Sequence, residues 1–241
     1  MATHEPRLAR VASLVADPSR ARMLAHLLGG ECAPAGELAR AASVSAATAS
    51  GHLRQLLDAG LLACEARGRH RYYRLADADV AHALEALAMV AERGSHAREW
   101  SHPSRAALRE ARCCYGHLAG RFGVALFDGL RAQGWLDARG DGSFAVTEAG
   151  AAGLDGLGLD GAAWQRRTRH GAGAARVAYG CIDWSERRDH LAGGLAVALA
   201  RLFIERDWLR RRDGGRALAW TPAGRRALGG WIRPADGADA G

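Results

Sequence analysis

Apolar residues recur at helical spacing near the start of the chain and predict a series of short helices. The first contains Leu8, Val11 and Val15. A second begins at Asp17-Pro18, because Asp is a typical N-cap and Pro fits the first helical position. Residues 37–42 supply a third helix. The two residues Ser43-Val44 separate it from the next one, and such a tight joint is typical of a helix-turn-helix.

The fourth helix has two faces of different chemistry. Ser45 is its expected N-cap, and Gly60 follows its end. On a helical wheel the apolar residues Ala49, Leu53, Leu56 and Leu57 share one side, and the other side carries Thr48, Gly51, His52, Arg54 and Gln55. This polar side has hydroxyl, imidazole, guanidinium and amide groups but no carboxylate before Asp58. Such a face suits contact with phosphates and base edges.

Two strand-like segments follow, Leu61–Glu65 and Arg71–Leu75, joined by a basic turn over 66–70. This pattern predicts a β-wing. Arg67, Arg69, His70 and Arg71 gather at its tip, where they can straddle the DNA backbone or enter a minor groove. The alternative is an arginine-rich hairpin that only faces solvent.

Several motifs of this region resemble one family, the ArsR/SmtB winged-helix repressors. They are "DPSR", "ELA", "VSAATASGHL", "AGLL" and "GRHRYYRL", and the similarity covers roughly residues 8–100. The resemblance implies a homodimer on a partly palindromic operator, released when an inducer binds. It also implies that Ser45, Thr48, Ser50, His52 and Arg54 approach the major groove and that Arg69 and Arg71 lie in the wing.

The sensing sites of that family are not reproduced. Metal-sensing members place closely spaced cysteines in the third helix, whereas this chain has the single Cys32 there. Another family site uses the last helix, but Asp79, His82, His96 and Glu99 lack its spacing. The last helix instead carries an apolar stripe, which fits a dimer-forming helix. The stripe consists of Val80, Leu84, Leu87 and Ala91.

The second half contains an internal repeat. His-Leu-Ala-Gly occurs at 117–120 and at 190–193, and the similarity continues through Trp135-Leu136 and Trp208-Leu209. Residues 93–104 lose periodicity and predict a linker. We therefore expect a winged helix-turn-helix domain over 1–100 and an effector domain over 101–241, with repeats at about 113–160 and 181–232. The expected fold is mainly α with small β-wings (α+β), and the two wing-like repeats should pack about a pseudo-twofold axis.

Each repeat contains a cysteine and a histidine with possible chemistry. Cys114, His117, Cys181 and His190 would satisfy tetrahedral zinc or another soft metal if the repeats bring them together. The alternative is that the cysteines are buried as small apolar groups and the histidines cap helices. Cys113 and Cys114, if helical, would point about 100° apart. Arg187 and Arg188 either hold an anionic effector or belong to an ion-paired surface.

Composition and charge limit the functions that the protein can have. A net charge of +7 and a pI near 9.8 favour a polyanionic partner. Charge alone does not separate DNA from RNA or an anionic membrane surface, whereas the polar helix face and the basic wing favour double-stranded DNA. Five cysteines do not predict a disulfide framework, and neither a membrane-spanning run nor a signal peptide is evident, so we expect a cytoplasmic protein with no membrane partner. No catalytic motif stands out, and we expect no enzyme.

The sequence thus predicts a DNA-binding transcriptional regulator, a repressor released by a metal, thiol-reactive or small-molecule effector; a metal ion is its candidate cofactor. Two alternatives stay open. One is an architectural DNA-binding protein without an effector. The other is a cysteine-dependent enzyme with Cys181 or Cys114 as nucleophile and His190 or His117 as base.

Overall fold

The computed structural model describes residues 7–29, 32–68, 70–92, 103–161, 176–212, 215–230 and 232. The chain forms two compact units, Met1–Leu84 and Glu85–Gly241. Within the described ranges, no helix combines the length and apolar character needed to cross a bilayer.

The first unit consists of helices followed by a small sheet. Its elements are α1 (Arg7–Val15), α2 (Pro18–Leu27), β1 (Ala33–Pro34), α3 (Ala35–Ala42), α4 (Ala46–Asp58), β2 (Leu62–Arg67) and β3 (His70–Leu75). The Asp17 side chain caps α2 by accepting from the amides of Ser19 and Arg20, at 3.0 and 2.9 Å. Ser45 caps α4 by accepting from the Thr48 amide at 3.2 Å. Both predicted caps are therefore confirmed.

The wing is longer than the sequence pattern predicted. β2 and β3 pair from Leu62 with Leu75 as far as Arg67 with His70, so the predicted turn over 66–70 is wrong. The tip has only two residues, and Gly68 adopts a φ of +59°, which an L side chain rarely adopts. β1, which the sequence did not predict, pairs with β3 at its other edge to make the antiparallel order β1-β3-β2.

Helix α5 (Ala78–Ala91) contains the division between the units, which falls at Leu84/Glu85. The second unit continues with α6 (Pro103–Glu110) and then two stretches with the same order of elements: hairpin, helix, hairpin, helix. The first stretch has β4 (Arg112–Cys114), β5 (His117–Ala119), α7 (Gly120–Ala132), β6 (Leu136–Ala138), β7 (Phe144–Val146) and α8 (Glu148–Gly156). The second has β8 (Tyr179–Ile182), β9 (Asp189–Ala192), α9 (Gly194–Glu205), β10 (Leu209–Arg211), β11 (Leu218–Trp220) and α10 (Pro222–Leu228).

The hairpin that opens each stretch was not predicted. The pair Cys113-Cys114 lies on β4, so the helical interpretation of these two residues is wrong. Successive residues of a strand face opposite sides. Cys113 accordingly belongs to the main apolar core of the second unit, whereas Cys114 packs with Cys181, Ala119 and Ala192.

Helices α7 and α9 supply much of that main core. Both helices are apolar around much of their circumference, and the structure buries them. From α7 the core takes Phe122, Leu126, Phe127 and Leu130, and from α9 it takes Leu195, Leu199 and Phe203.

The last helix of each stretch begins in the same way. Thr147 Oγ1 accepts from the Gly150 amide at 2.9 Å, and Thr221 Oγ1 accepts from the Gly224 amide at 3.0 Å. A Cβ on Gly150 would lie 2.3 Å from the Trp135 carbonyl oxygen. One on Gly224 would lie 2.2 Å from the corresponding oxygen of Trp208. The Thr-x-x-Gly pattern therefore provides a helix cap and a close helix–strand approach in both stretches.

Candidate functional site

Helix α4 presents a polar face that other parts of its own unit leave open. Ala49, Leu53 and Leu56 are buried beneath it, as the helical wheel predicted. On the opposite side Ser45, Thr48, Ser50, Arg54 and Gln55 are exposed, and His52 is half-buried. The helix thus brings the predicted DNA-contact residues together on one surface.

Arg20 on α2 anchors this face, and sequence reasoning missed it. Its guanidinium donates to Gln55 Oε1 at 2.8 Å and lies 3.3 Å from His52 Nδ1. It also donates to the carbonyl oxygens of Leu14 and Ser13, at 2.6 and 3.1 Å. A single side chain therefore connects the end of α1 with α4. The sequence showed only that Arg20 lies three residues after the Asp17 cap. A helical wheel describes one helix at a time, so it cannot show a contact between α2 and α4.

The hydroxyl groups of the face are engaged locally. Ser45 Oγ lies 2.9 Å from Thr48 Oγ1, and Ser50 Oγ donates to the Ala46 carbonyl at 2.9 Å. Arg54 has neither a hydrogen bond nor an ion pair with the part of the chain that the structure describes. Its guanidinium is therefore the strongest donor on α4 that remains available to a partner.

The wing adds further positive charge beside α4. Arg67 pairs with Glu65 at 3.0 Å and stacks over Tyr72, so part of its charge is already balanced. His70 and Arg71 are exposed, and Arg69 lies outside the described residues. A groove of about 740 Å³ runs between the wing and α4. Ser50, Arg54, His70 and Arg71 all line it.

A second group of predicted residues meets in the C-terminal unit. Cys114 is paired directly across the first hairpin from His117, and Cys181 is paired across the third hairpin from His190. The four possible ligand atoms all lie within 4.8 Å of one another, and all four residues are buried. Among the described residues this is the only such group, and Cys32, Asp79 and His82 do not belong to it. His96 and Glu99 fall outside the described ranges.

The two histidines of this cluster face each other. Their Nε2 atoms are 3.0 Å apart. The other ring nitrogen of His190, Nδ1, lies 3.1 Å from Asp183 Oδ2. Asp183 is fully buried and also accepts from the amides of Gly120 and Ser185, at 2.6 and 3.0 Å.

Behind Asp183 lies a chain of buried charges. Arg112, which has no exposed surface, lies with Nη2 3.0 Å from Asp183 Oδ2, an ion pair without hydrogen-bond alignment. The same atom is 3.6 Å from Glu85 Oε2, and Arg216 donates to Glu85 Oε1 at 2.5 Å. The Arg112 guanidinium also lies 4.5 Å from the centre of a Trp184 ring. Two arginines and two carboxylates therefore pair with one another inside the unit.

These contacts shift several pKa values. Burial alone would raise the pKa of Asp183, but the contact with His190 and the charge of Arg112 outweigh it, so this pKa is lowered. Burial alone would lower the pKa of His190, yet Asp183 and Cys114 raise it to about 9. A hydrogen bond with Cys181, together with burial, raises the pKa of Cys114 to about 12. Nucleophilic cysteines need the opposite shift.

The predicted anion site lies on the surface. Arg188 pairs with Asp128 at 2.7 Å, and both side chains are exposed. Arg187 is exposed and has a φ of +54°. The ion pair of Arg188 agrees with the second of the two interpretations given for this segment, an ion-paired surface, and not with the anion site.

Comparison with known proteins identifies relatives of this chain. The sequence pattern of the family "Helix-turn-helix domain" matches residues 15–65. The HTH-type transcriptional regulator YdfF of Bacillus subtilis is 40% identical over 223 residues, which cover 92% of this chain and 96% of YdfF. CmtR of Mycobacterium tuberculosis, also an HTH-type transcriptional regulator, is 41% identical over 86 residues, or 36% of this chain and 72% of CmtR. A solved homodimeric winged helix-turn-helix domain from Mycobacterium bovis is 29% identical, with a TM-score of 0.34, and covers 40% of this chain and 98% of that one.

Proposed function

From the premise that this chain belongs to the family of HTH-type transcriptional regulators, we propose that it is a homodimeric, sequence-specific repressor. It reads its operator with α4, holds the DNA backbone with the wing, and is released by an effector that the C-terminal unit senses. A repressor acts where the chromosome is, which in a bacterial cell is the cytoplasm.

The observation that carries this proposal is the open polar face of α4. Thr48, Arg54 and Gln55 are exposed there without a carboxylate among them, while the apolar side of the same helix is buried. An exposed guanidinium on a helix is the group that reads guanine most often in a major groove. The adjacent groove contains Arg71, which can bind a phosphate next to the base that Arg54 contacts.

Helix α5 supports the dimer. Leu87 and Val90 are 51% and 50% exposed on it, although both are large apolar side chains. A second copy of the chain is the partner that would cover them, because a dimer with two reading helices fits a partly palindromic operator. We expect Leu87→Glu to convert a dimer into a monomer in light scattering.

Binding to the DNA upstream of the protein's own gene tests the proposal directly. At physiological salt, wild-type protein should bind that DNA at least tenfold more tightly than a shuffled duplex of the same composition. Arg54→Ala should abolish most of this preference, because one good base contact is worth about 1–3 kcal/mol. Arg139→Ala is the matched control, since Arg139 is exposed in the C-terminal unit and its loss removes the same charge.

Equal affinity of the wild-type protein for both duplexes would refute sequence-specific recognition. Specific binding that responds to no metal, oxidant or small molecule would instead favour the architectural function. The enzyme alternative would require turnover that disappears in Cys114→Ser or Cys181→Ser.

A further inference from the structure

We propose that Cys114, His117, Cys181 and His190 form a closed tetrahedral site for one zinc ion in the C-terminal unit. This proposal names the effector site of the proposed regulator, and its control of DNA binding rests on that proposed function. The presence of the zinc site itself does not depend on the proposed function.

The two hairpins contribute to the site equally. Directly opposed residues of an antiparallel pair project to the same face of the hairpin. The pairs Cys114–His117 and Cys181–His190 are both opposed in this way, so each hairpin offers one sulfur and one nitrogen side by side. Two such faces turned toward each other give two thiolates and two imidazoles, a common ligand set for structural zinc.

The distances suit a metal more closely than they suit a cluster of unrelated side chains. Zinc bond lengths of about 2.3 Å to sulfur and 2.0–2.1 Å to nitrogen place the ligand atoms of a tetrahedron roughly 3.3–3.8 Å apart. All four ligand atoms here lie within 4.8 Å of one another, and the two Nε2 atoms are already 3.0 Å apart. Two imidazole nitrogens at that distance need a shared proton or a cation between them, because two lone pairs repel.

Asp183 contacts His190 on the side of the ring that faces away from the cluster. Histidines that bind metals usually present their other nitrogen to a carboxylate, which fixes the ring and its tautomer. Asp183 Oδ2 is 3.1 Å from Nδ1 of His190, which leaves Nε2 directed toward the cluster. The carboxylate is itself held by three backbone amides, the Ser185 hydroxyl and Arg112. His190 is thus oriented as a ligand before any ion binds.

Burial identifies the kind of site. Cys181 is the most exposed of the four residues, at 7%. Four protein ligands without access to solvent leave no open position for a substrate, which is typical of structural or sensing sites rather than catalytic ones. When the ion binds, the two thiols and the imidazole nitrogens that become ligands release their protons to solvent, and the two thiolates then balance the charge of Zn²⁺.

The buried charges give the site a route to the DNA-binding unit. His190 contacts Asp183, Asp183 contacts Arg112, and Arg112 contacts Glu85, which is 1% exposed on α5. The same helix begins at Ala78 in the first unit. Ion binding that repositions His190 therefore acts, through three charged side chains, on a helix continuous with the DNA-binding unit.

Cobalt binding to the full-length chain tests the site without DNA. Chelator-treated, reduced protein should bind one Co²⁺ per chain with the visible bands of tetrahedral cobalt and a thiolate charge-transfer band, and one equivalent of Zn²⁺ should remove both. Cys114→Ser and Cys181→Ser should weaken binding at least 100-fold. Cys64→Ser is the matched control, because Cys64 is a half-buried cysteine of the first unit, and it should bind as the wild type does.

Circular dichroism should accompany each variant, and His117→Gln serves if a serine variant does not fold. A wild-type protein without tetrahedral bands would overturn the site, and so would bands that persist unchanged in the folded Cys114→Ser or His117→Gln protein.

Operator affinity with and without Zn²⁺ tests the regulation. Zinc should weaken wild-type binding about tenfold, within the usual range of allosteric coupling. Glu85→Gln should keep the cobalt spectrum but lose the response of DNA binding to zinc. A wild type that binds zinc and operator without any response would overturn the regulatory part. A wild type that shows the cobalt bands but no preference for its own upstream DNA would instead refute the proposed function and leave the zinc site standing.

Discussion

Replacing Arg71 by alanine tests how the wing contributes to DNA binding. Arg71 is exposed in the groove beside α4, and the described part of the chain provides it with no ion-pair partner. Arg67, in contrast, is already paired with Glu65. Arg71 should therefore contribute a full phosphate contact, and Arg67 only part of one.

The expected magnitude follows from counterion release. Each phosphate contact contributes about 0.9 to the slope of log K against log salt on B-DNA. A homodimer has two wings, so Arg71→Ala should make this slope less steep by about 1.8. Between 50 and 200 mM salt, wild-type affinity should then fall roughly twelvefold more than the affinity of the variant.

Fluorescence anisotropy at four salt concentrations, with the upstream duplex and with a shuffled duplex, provides the measurement. The change in slope should be the same on both, because phosphate contacts have no sequence information. Arg67→Ala should change the slope less than Arg71→Ala does, and Arg139→Ala should leave it unchanged. A wild-type slope in Arg71→Ala, or a loss confined to the upstream duplex, would refute the assignment of Arg71 to the backbone.

Three further outcomes are expected. Gly150→Ala should lower the free energy of unfolding of the C-terminal unit in urea by about 1–3 kcal/mol, because its Cβ would lie 2.3 Å from the Trp135 carbonyl oxygen. Gly156→Ala in the same helix is the control. Its Cβ would meet nothing within 4 Å, so this variant should unfold at the same urea concentration as the wild type or at a higher one. In chelator-treated protein the raised pKa of His190 adds stability that is complete below pH 6.5 and is lost as the pH rises through about 9. Urea midpoints across that range should fall for the wild type and stay flatter for His190→Gln; equal slopes would contradict the ion pair with Asp183. His52→Ala should alter sequence preference more than salt dependence, and a changed slope would contradict its role in reading bases.

Short-range patterns predicted much of the first unit. The caps at Asp17 and Ser45 and the apolar side of α4 depend on residues within one or two turns, so local spacing was enough to place them. The sequence pattern assigned too many residues to the turn of the wing, because Arg67 and His70 are polar and resemble turn residues. Backbone pairing across a two-residue tip does not depend on that polarity.

The C-terminal unit shows where local patterns fail. Three-residue strands such as β4 are too short for a period to be visible, so the sequence did not separate a strand from a helix at Cys113-Cys114. The repeat nevertheless indicated that Cys114 and His117 occupy places equivalent to those of Cys181 and His190. Their opposed positions within each hairpin came only from the strand register.

By itself the sequence determined which residues are chemically able to act: an arginine and an amide on one helix, arginines in a wing, and two Cys–His pairs in a repeat. Only the tertiary structure decided which of them meet. Arg20 reaches α4 from another helix, and Asp183, Arg112 and Glu85 come together from positions far apart in the chain. Such contacts depend on long-range packing, and a buried charge is stable only where a distant partner compensates its lost hydration.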